Sequence, residues 1–146
     1  MQDVKNPEAA AAAQALIKAI CFYGGVTFFT GFAFGVLREL VLVPMSGRRA
    51  GHLIEFPMML MAIVVVAAYA VKRLQDTRKK YLLALGILGT LVLLVIESGF
   101  ALYVMRVPLG QYLASFNVAK GELFPFGLVL MCIAPLAVQR FWNKRT

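Results

Sequence analysis

Four long apolar runs, separated by short stretches that hold most of the charge, dominate the chain. The runs cover residues 19–37, about 53–71, 81–105 and 123–139. Each is close to the roughly 20 residues that an α-helix needs to cross the hydrocarbon core of a bilayer. Because backbone amides in lipid must form their hydrogen bonds within their own segment, each run predicts a helix. The pattern therefore predicts an all-α integral membrane four-helix bundle, in one domain over residues 1–146, with helices at about 7–43, 53–73, 79–106 and 122–142.

Local signals place the helix ends. Asn6-Pro7-Glu8 combines a capping side chain, a proline where no backbone hydrogen bond is lost and an acid near the positive end of the helix dipole, so the first helix should begin ahead of the membrane. Pro44 is expected to help end that helix, and Pro135 predicts a kink inside the fourth. Residues 107–121 alternate apolar and polar side chains, which predicts a short amphipathic helix on the outer membrane surface.

Composition and charge strengthen the membrane interpretation. Apolar residues make up 61% of the chain and charged residues 15%, against roughly 45–50% and 25% in soluble domains. A soluble fold of this size could not bury that much apolar surface, whereas a bilayer can. The net charge is +8. Because the basic residues border the apolar runs, we expect anionic lipid headgroups as their partners and no nucleic acid.

The distribution of lysine and arginine predicts the orientation. With the N-terminus inside, ten basic residues fall on the cytoplasmic side and five on the outer side. We therefore expect a multi-pass protein of the inner (plasma) membrane with both termini cytoplasmic. The cytoplasmic set is Lys5, Lys18, Lys72, Arg73, Arg78, Lys79, Lys80, Arg140, Lys144 and Arg145, and the outer set is Arg38, Arg48, Arg49, Arg106 and Lys120.

A short string occurs twice along the chain. GFAFGVLR at 31–38 returns as GFALYVMR at 99–106, and the same offset of 68 aligns Phe56-Pro57 with Phe124-Pro125. We interpret this as a duplicated helical hairpin, with repeat units 14–77 and 82–145. Two hairpins of equal orientation would be parallel repeats, related by an axis along the membrane normal. The alternative interpretation is that the two strings match without a duplication, because membrane helices commonly end with arginine and start near proline.

Glu97 is the most informative residue, because residues 81–96 and 98–105 around it carry no charge. A carboxylate inside a membrane helix costs about 2.5–3.5 kcal/mol on insertion scales, so it usually faces a partner or a wet cavity. The other polar residues of the outer half predict a buried polar cluster, in which arginine side chains neutralise Glu97 and Glu55. Its expected members are Glu97, Arg38, Glu55, Arg106, Glu39 and His52.

Two kinds of role remain open for this cluster. It could be a closed ion-pair network that only fixes the register of the helices. Alternatively, it could serve function, as a proton-coupled cation site, a pocket for a headgroup or small anion, or a docking site for another subunit.

Small residues predict where helices approach closely. Gly31 and Gly35 form a small-xxx-small pair on the first helix, and Gly86 shares a face of the third helix with Glu97. A seam between these two helices would bring Arg38 near Glu97. The alternative is a seam that serves packing alone.

The sequence offers no metal or cofactor site. His52 is the only histidine, which excludes a bis-histidine haem within one chain, and no group of ligands has metal-binding spacing. No phosphate loop, nucleophile elbow or hydrolase carboxylate pair is present, so we name no catalytic residue and expect no cofactor.

The stretch 31–59 resembles small four-helix proteins of bacterial inner membranes, a family without an assigned reaction. In these proteins a GxxxGxxR helix end is followed by a PxxG loop and an AxxxxExP helix start. The matching residues here are Gly31, Gly35, Arg38, Pro44, Gly47, Ala50, Glu55 and Pro57, and Glu97 matches a glutamate of the third helix.

Two further resemblances are more limited. RRAGHLIEFP at 48–57 is similar to the second helix of the glutathione-using membrane enzymes of eicosanoid metabolism, but the spacing differs and an asparagine is missing. The small multidrug antiporters are similar in size and in having one buried glutamate. Their glutamate lies in the first helix, whereas Glu97 lies in the third.

These observations leave three functional hypotheses. The first is a non-enzymatic accessory, assembly or scaffold subunit that packs against itself, as a homo-oligomer, or against a larger membrane complex. The second is a small proton-coupled solute transporter that uses Glu97, and the third is a membrane enzyme of lipid or thiol metabolism. A polar crevice open to one side would favour transport, whereas a sealed ion-pair network with an exposed groove of small residues would favour assembly.

Overall fold

Helices account for nearly all of the described chain, which comprises residues 7–74 and 76–144 of a computed structural model, and no strand occurs in these ranges. A capping role for Asn6, and the positions of Lys5 and Arg145, fall outside the described residues. The helices are α1 (Pro7–Leu37), α2 (Val43–Lys72), α3 (Lys79–Gly99), α4 (Leu109–Ala114) and α5 (Phe124–Asn143). Two π-helical segments, Arg38–Leu42 and Phe100–Val104, follow α1 and α3, and a 3-10 turn covers Val118–Lys120.

Three continuous helical runs are long and apolar enough to cross a membrane. They are Pro7–Lys72 with 66 residues, Lys79–Val104 with 26 and Phe124–Asn143 with 20. A straight helix of 66 residues would be about 99 Å long, roughly three times the thickness of a hydrocarbon core. The first run must therefore reverse its direction, and it contains two of the four predicted helices.

The reversal is at Gly47, whose φ of 83° and ψ of 163° are not helical. Such angles are accessible to glycine because it has no Cβ. Along a continuous helix, Arg38 and Glu55 would lie about 25 Å apart, yet Arg38 Nη1 and Glu55 Oε2 are 2.8 Å apart. The prediction that Pro44 ends the first helix was wrong, because the chain is helical on both sides of Gly47 and Pro44 lies in the first turn of α2.

The four long helices form a closed cycle of neighbours. α1 packs against α3, α3 against α5, α5 against α2, and α2 against α1. The buried side chains that fill the space between them are mainly small and aliphatic, with Tyr23 and Met131 among the largest. The predicted helix in the third connection is present as α4, whose Tyr112 hydroxyl lies 2.8 Å from the Ser98 hydroxyl of α3.

The order of neighbours bears on the predicted repeat. A two-fold axis parallel to the helices would place equivalent helices on a diagonal of the cycle. Here the equivalent helices α1 and α3 are direct neighbours, as are α2 and α5. The duplication of a hairpin stays a prediction, but a two-fold relation between its halves does not fit this order.

Glycines allow neighbouring helices to approach closely at several positions. A Cβ added at Gly86 would overlap the backbone carbonyl of Cys132 on α5, and one at Gly24 would lie 2.6 Å from the carbonyl oxygen of Gly89 on α3. The predicted role of Gly86 in helix packing is thus present, although its neighbour is α5 and not α1. Gly31 faces the end of the Met59 side chain, at 3.1 Å from such a Cβ. Gly35 was also predicted to pack against another helix, but nothing lies within 4 Å of the position that a Cβ would occupy there.

One buried hydrogen bond joins α1 to α5 at a proline. Pro135 has no amide hydrogen, so the carbonyl of Met131, four residues earlier, lacks its usual helical donor. The hydroxyl of Tyr23 donates to this carbonyl oxygen at 2.9 Å. Tyr23 is 0% exposed. The tyrosine therefore supplies the hydrogen bond that the proline removes.

Replacement of Tyr23 by phenylalanine is expected to lower the free energy of unfolding by about 1–3 kcal/mol, because the carbonyl of Met131 would be buried without a donor. In a Pro135→Ala background, the new amide of residue 135 can donate to that carbonyl, and the same change should cost clearly less. Reversible unfolding in mixed detergent micelles measures both values. An equal cost in the two backgrounds would show that the tyrosine acts only by filling space.

Basic side chains gather at one end of the helices, which we call the basic end. Arg73 lies with its guanidinium carbon 3.9 Å from the ring centre of Phe22 on α1, and Lys72 lies 5.4 Å from that of Trp142 on α5. These contacts place the first half of α1, the α2–α3 connection and the end of α5 at the same end. In that connection, hydrogen bonds from the Arg78 side chain and backbone amide lower the pKa of Asp76.

Candidate functional site

A half-open cavity of about 490 Å³ lies between the four long helices, toward the end opposite the basic end. We call it the deep cavity. Its size is typical of small-molecule sites, which are concave, mostly apolar and supplied with a few polar groups. The walls come from α1, α2, α3 and α5. The apolar residues that line it include Phe28, Phe32, Met59, Leu93, Phe100 and Met131.

A second cavity of about 310 Å³ adjoins the first and reaches the α4–α5 connection. We call it the vestibule. His52, Ser115 and Glu122 line only the vestibule, whereas Arg38, Glu55 and Glu97 line both cavities. Met59, Phe124 and Gly127 line both cavities as well, and the three charged side chains therefore stand at the boundary between the vestibule and the more apolar deep cavity.

Arg38 is held by two carboxylates. Its Nη1 donates to Glu55 Oε2 at 2.8 Å, and its Nη2 lies 3.2 Å from Glu39 Oε1. Glu55 is only 7% exposed, so its carboxylate is held away from solvent by a guanidinium that is itself half-buried. The predicted neutralisation of Glu55 by an arginine is present in this contact.

Glu97 does not form the ion pair with an arginine that was predicted for it. Across the described residues, its carboxylate forms no hydrogen bond and no ion pair, and it lines both the deep cavity and the vestibule. Thr27, also on the wall of the deep cavity, is 2% exposed and its hydroxyl has no hydrogen-bond partner. Two polar side chains of the cavity wall therefore form no hydrogen bond within the described chain, and of these the Thr27 hydroxyl is fully buried.

The charges around the two cavities are unbalanced. One arginine, Arg38, faces four glutamates. The chain has only seven acidic residues and a net charge of +8. Four of the seven acidic residues of the chain therefore line these two cavities. The four glutamates are Glu39, Glu55, Glu97 and Glu122.

Both π-helical segments contribute to the deep cavity. Arg38 and Glu39 come from the segment after α1, and Phe100 and Ala101 come from the segment after α3. A π-helical turn inserts an extra residue per turn, which turns side chains away from the direction that an α-helix would give them, and such turns occur frequently at functional sites. The phenyl rings meet here as well, because the ring centres of Phe32 and Phe100 lie 5.2 Å apart and those of Phe28 and Phe100 lie 5.7 Å apart.

The structure assembles five of the six predicted cluster residues around the two cavities. They are Glu97, Arg38, Glu55, Glu39 and His52. The predicted burial of the cluster holds for Glu55 alone, because Glu39 is exposed and the other three are half-buried. Arg106 lies elsewhere, because it is exposed, has a φ of 54° and lines neither cavity. It lies beyond the π-helical segment that ends α3, where the chain has left its helical path. This differs from the prediction in which Arg106 neutralises a glutamate.

Sequence reasoning missed Glu122, Thr27 and the phenylalanines. Glu122 comes from a connection whose path a hydropathy pattern does not show. Thr27 and Phe28 lie in an apolar helix where periodicity does not distinguish a cavity wall from a lipid-facing surface. Gly31 and Gly35, predicted as packing residues, also line the deep cavity, and an open space beside Gly35 agrees with that position.

No three potential metal-binding side chains (His, Cys, Asp or Glu) come together within the described ranges. Comparison with known proteins adds no further constraint, because no family model, no curated protein and no solved structure matches the chain.

Proposed function

We propose that this protein is a small proton-coupled carrier of organic cations, built as a membrane-embedded four-helix bundle with both termini in the cytoplasm. The observation that carries the proposal is the Glu97 carboxylate, which has no partner in the described chain and lines both cavities. A carboxylate removed from water needs a counter-charge or a proton. Arg38 does not supply it, because Glu55 and Glu39 already hold the guanidinium.

An exchange cycle follows from this arrangement. Without substrate, Glu97 takes up a proton and is neutral in the apolar cavity. A cation that reaches the deep cavity replaces the proton, which leaves through the vestibule past His52 and Glu122. Proton and cation thus compete for one carboxylate, so that binding of either opposes binding of the other.

The wall of the deep cavity indicates what kind of cation is bound. Hard metal ions usually need six or more oxygen ligands to replace their water shell, and in the described ranges no three His, Cys, Asp or Glu side chains come together to begin such a set. The faces of Phe28, Phe32 and Phe100 offer cation–π contacts instead. An organic cation with apolar substituents and one positive charge therefore matches the cavity best.

The first sequence-based hypothesis, an accessory or scaffold subunit, becomes the second candidate. An assembly role would be supported by a sealed ion-pair network and by small residues on an exposed groove. Glu97 has no partner in the described chain, so the ion-pair network is not sealed, whereas Gly31 and Gly35 line a half-open space that keeps an assembly role as the second candidate. The membrane orientation remains an expectation from the ten-to-five distribution of basic residues.

Binding of tetraphenylphosphonium to the purified protein tests the proposal. In weakly buffered detergent solution, we expect saturable binding that releases about one proton per site and becomes tighter as the pH rises. Tetraphenylborate, an anion of the same shape, is the matched control and should not bind to this site. Equal binding of the two ions, or phosphonium binding without proton release, would contradict a cation–proton exchange site.

A further inference from the structure

A different cavity lies at the basic end, between the start of α3 and the end of α5. Its volume is about 840 Å³, and it is separate from the deep cavity and the vestibule, with which it shares no lining residue. We call it the basic groove. The apolar residues that line it are Leu82, Ile133, Leu136, Ala137 and Phe141.

The lining residues of both helices change from apolar to basic at the same distance from the basic end. On α5, Ile133 and Ala137 are followed one turn later by Arg140 and then by Lys144, along one stripe of the helix. On α3, which runs in the opposite sense, Lys79 precedes Leu82 by about one turn. The groove is therefore apolar along its length and positively charged at its mouth.

The three cations at the mouth have no acidic partner among the described residues. Lys79, Arg140 and Lys144 are all exposed and none of them forms an ion pair there. The nearby carboxylate of Asp76 is occupied, because Arg78 binds it at 2.6 Å. The groove therefore keeps a positive charge that a ligand can neutralise.

We infer that the basic groove is a specific site for an anionic glycerophospholipid. The phosphodiester binds Lys79, Arg140 and Lys144, since basic pockets between membrane helices bind anionic headgroups and arginine can donate two parallel hydrogen bonds to phosphate. One acyl chain follows the apolar stripe of α5 past Ala137 and Ile133. A lipid is the occupant that fits both parts, because a soluble phosphate would leave the apolar length of the groove unfilled. This inference does not depend on transport at Glu97.

Native mass spectrometry of the protein in a neutral detergent tests the site. Phosphatidylglycerol should bind in a ratio of one per chain, and phosphatidylethanolamine with the same acyl chains should bind much more weakly. The combined change Lys79→Gln, Arg140→Gln and Lys144→Gln should weaken phosphatidylglycerol binding by about a hundred-fold, from the loss of three interactions with an anionic headgroup. The matched control Arg48→Gln, Arg49→Gln and Lys120→Gln removes three exposed cations that line none of the three cavities and should change binding less than two-fold.

Two outcomes would overturn the inference. An equal loss in both triple variants would show that lipid binding follows the net charge of the protein and not this groove. Displacement of the lipid by millimolar glycerophosphoglycerol, which has the headgroup without acyl chains, would assign the groove to a soluble phosphodiester. Unfolding temperatures measured in the same detergent identify any variant that has lost its fold, and Arg140→Lys, which keeps the charge, should retain most of the binding.

Discussion

Glutamine in place of Glu97 is expected to abolish the proton release that accompanies tetraphenylphosphonium binding, and to weaken that binding strongly, while the fold stays intact. A neutral amide has nearly the same shape as the carboxyl group but cannot give up a proton to an arriving cation. The fold should survive because Glu97 has no ion pair within the described chain, so its removal leaves no buried charge without its partner. The unfolding free energy should be unchanged or slightly higher.

Two control variants accompany this one, of which the first removes a carboxylate at another place and the second keeps an acid at residue 97. Asp76→Asn removes a carboxylate at the basic end, far from both cavities, and should leave proton release intact. Glu97→Asp keeps the acid on a shorter side chain and should retain proton release with altered affinity. If Glu97→Gln instead lowers the unfolding free energy by several kcal/mol and still binds the cation with proton release, Glu97 is a structural residue and the proposed exchange site is wrong.

The second large effect is expected for Arg38→Met. Glu55 would be left buried without its partner, and breaking a buried ion pair from one side typically costs about 3–5 kcal/mol. Reversible unfolding in mixed detergent micelles measures the loss. In the double variant, with Glu55→Gln as well, much of the stability should return, because no unpaired charge remains between α1 and α2.

Arg106 provides a matched control for Arg38. The two arginines occupy equivalent places in the repeated string GFAFGVLR and GFALYVMR, but Arg106 is exposed and lines neither cavity. Arg106→Met should therefore change the unfolding free energy by less than about 0.5 kcal/mol. Similar losses for the two arginines would contradict the assignment of the ion pair to Arg38 alone.

The bounds of the third and fourth long helices could be predicted from the hydropathy pattern, whereas the second helix, predicted to begin near residue 53, begins at Val43. An apolar run of about 20 residues can satisfy its backbone in lipid only as a helix. The predicted third helix, 79–106, therefore agrees closely with the helical run Lys79–Val104. The first connection was harder to predict, since Pro44 and Gly47 both indicate a break and only Gly47 has non-helical angles.

The membership of the polar cluster could also be predicted, but its pairing could not. Charges in long apolar helices are few, so those at one end of the membrane tend to meet. Which ones touch depends on the rotation of each helix about its axis. A helix such as α1, which is apolar on all sides, carries little information about that rotation. Arg38 consequently pairs with Glu55 on α2, whereas the glycine pattern had favoured a seam that brings it to Glu97.

The unknown rotation of each helix is also the reason why the surroundings of the glycines could not be predicted. Gly24, Gly31 and Gly35 are equivalent in a sequence pattern, yet they meet a backbone carbonyl, a flexible methionine and open space respectively. The two closest contacts of α3, at Gly86 and Gly89, go to different helices. These surroundings can be distinguished only when the order in which the helices pack is known.

The near-continuous helix on both sides of Gly47 restricts how the length of this chain can vary. Most connections between helices tolerate inserted residues, because a flexible loop absorbs them. Between Arg38 and Glu55 only Gly47 departs from helical angles. One inserted residue would therefore rotate one partner by about 100° about its helix axis. The ion pair thus depends on the number of residues between its members as much as on their identity.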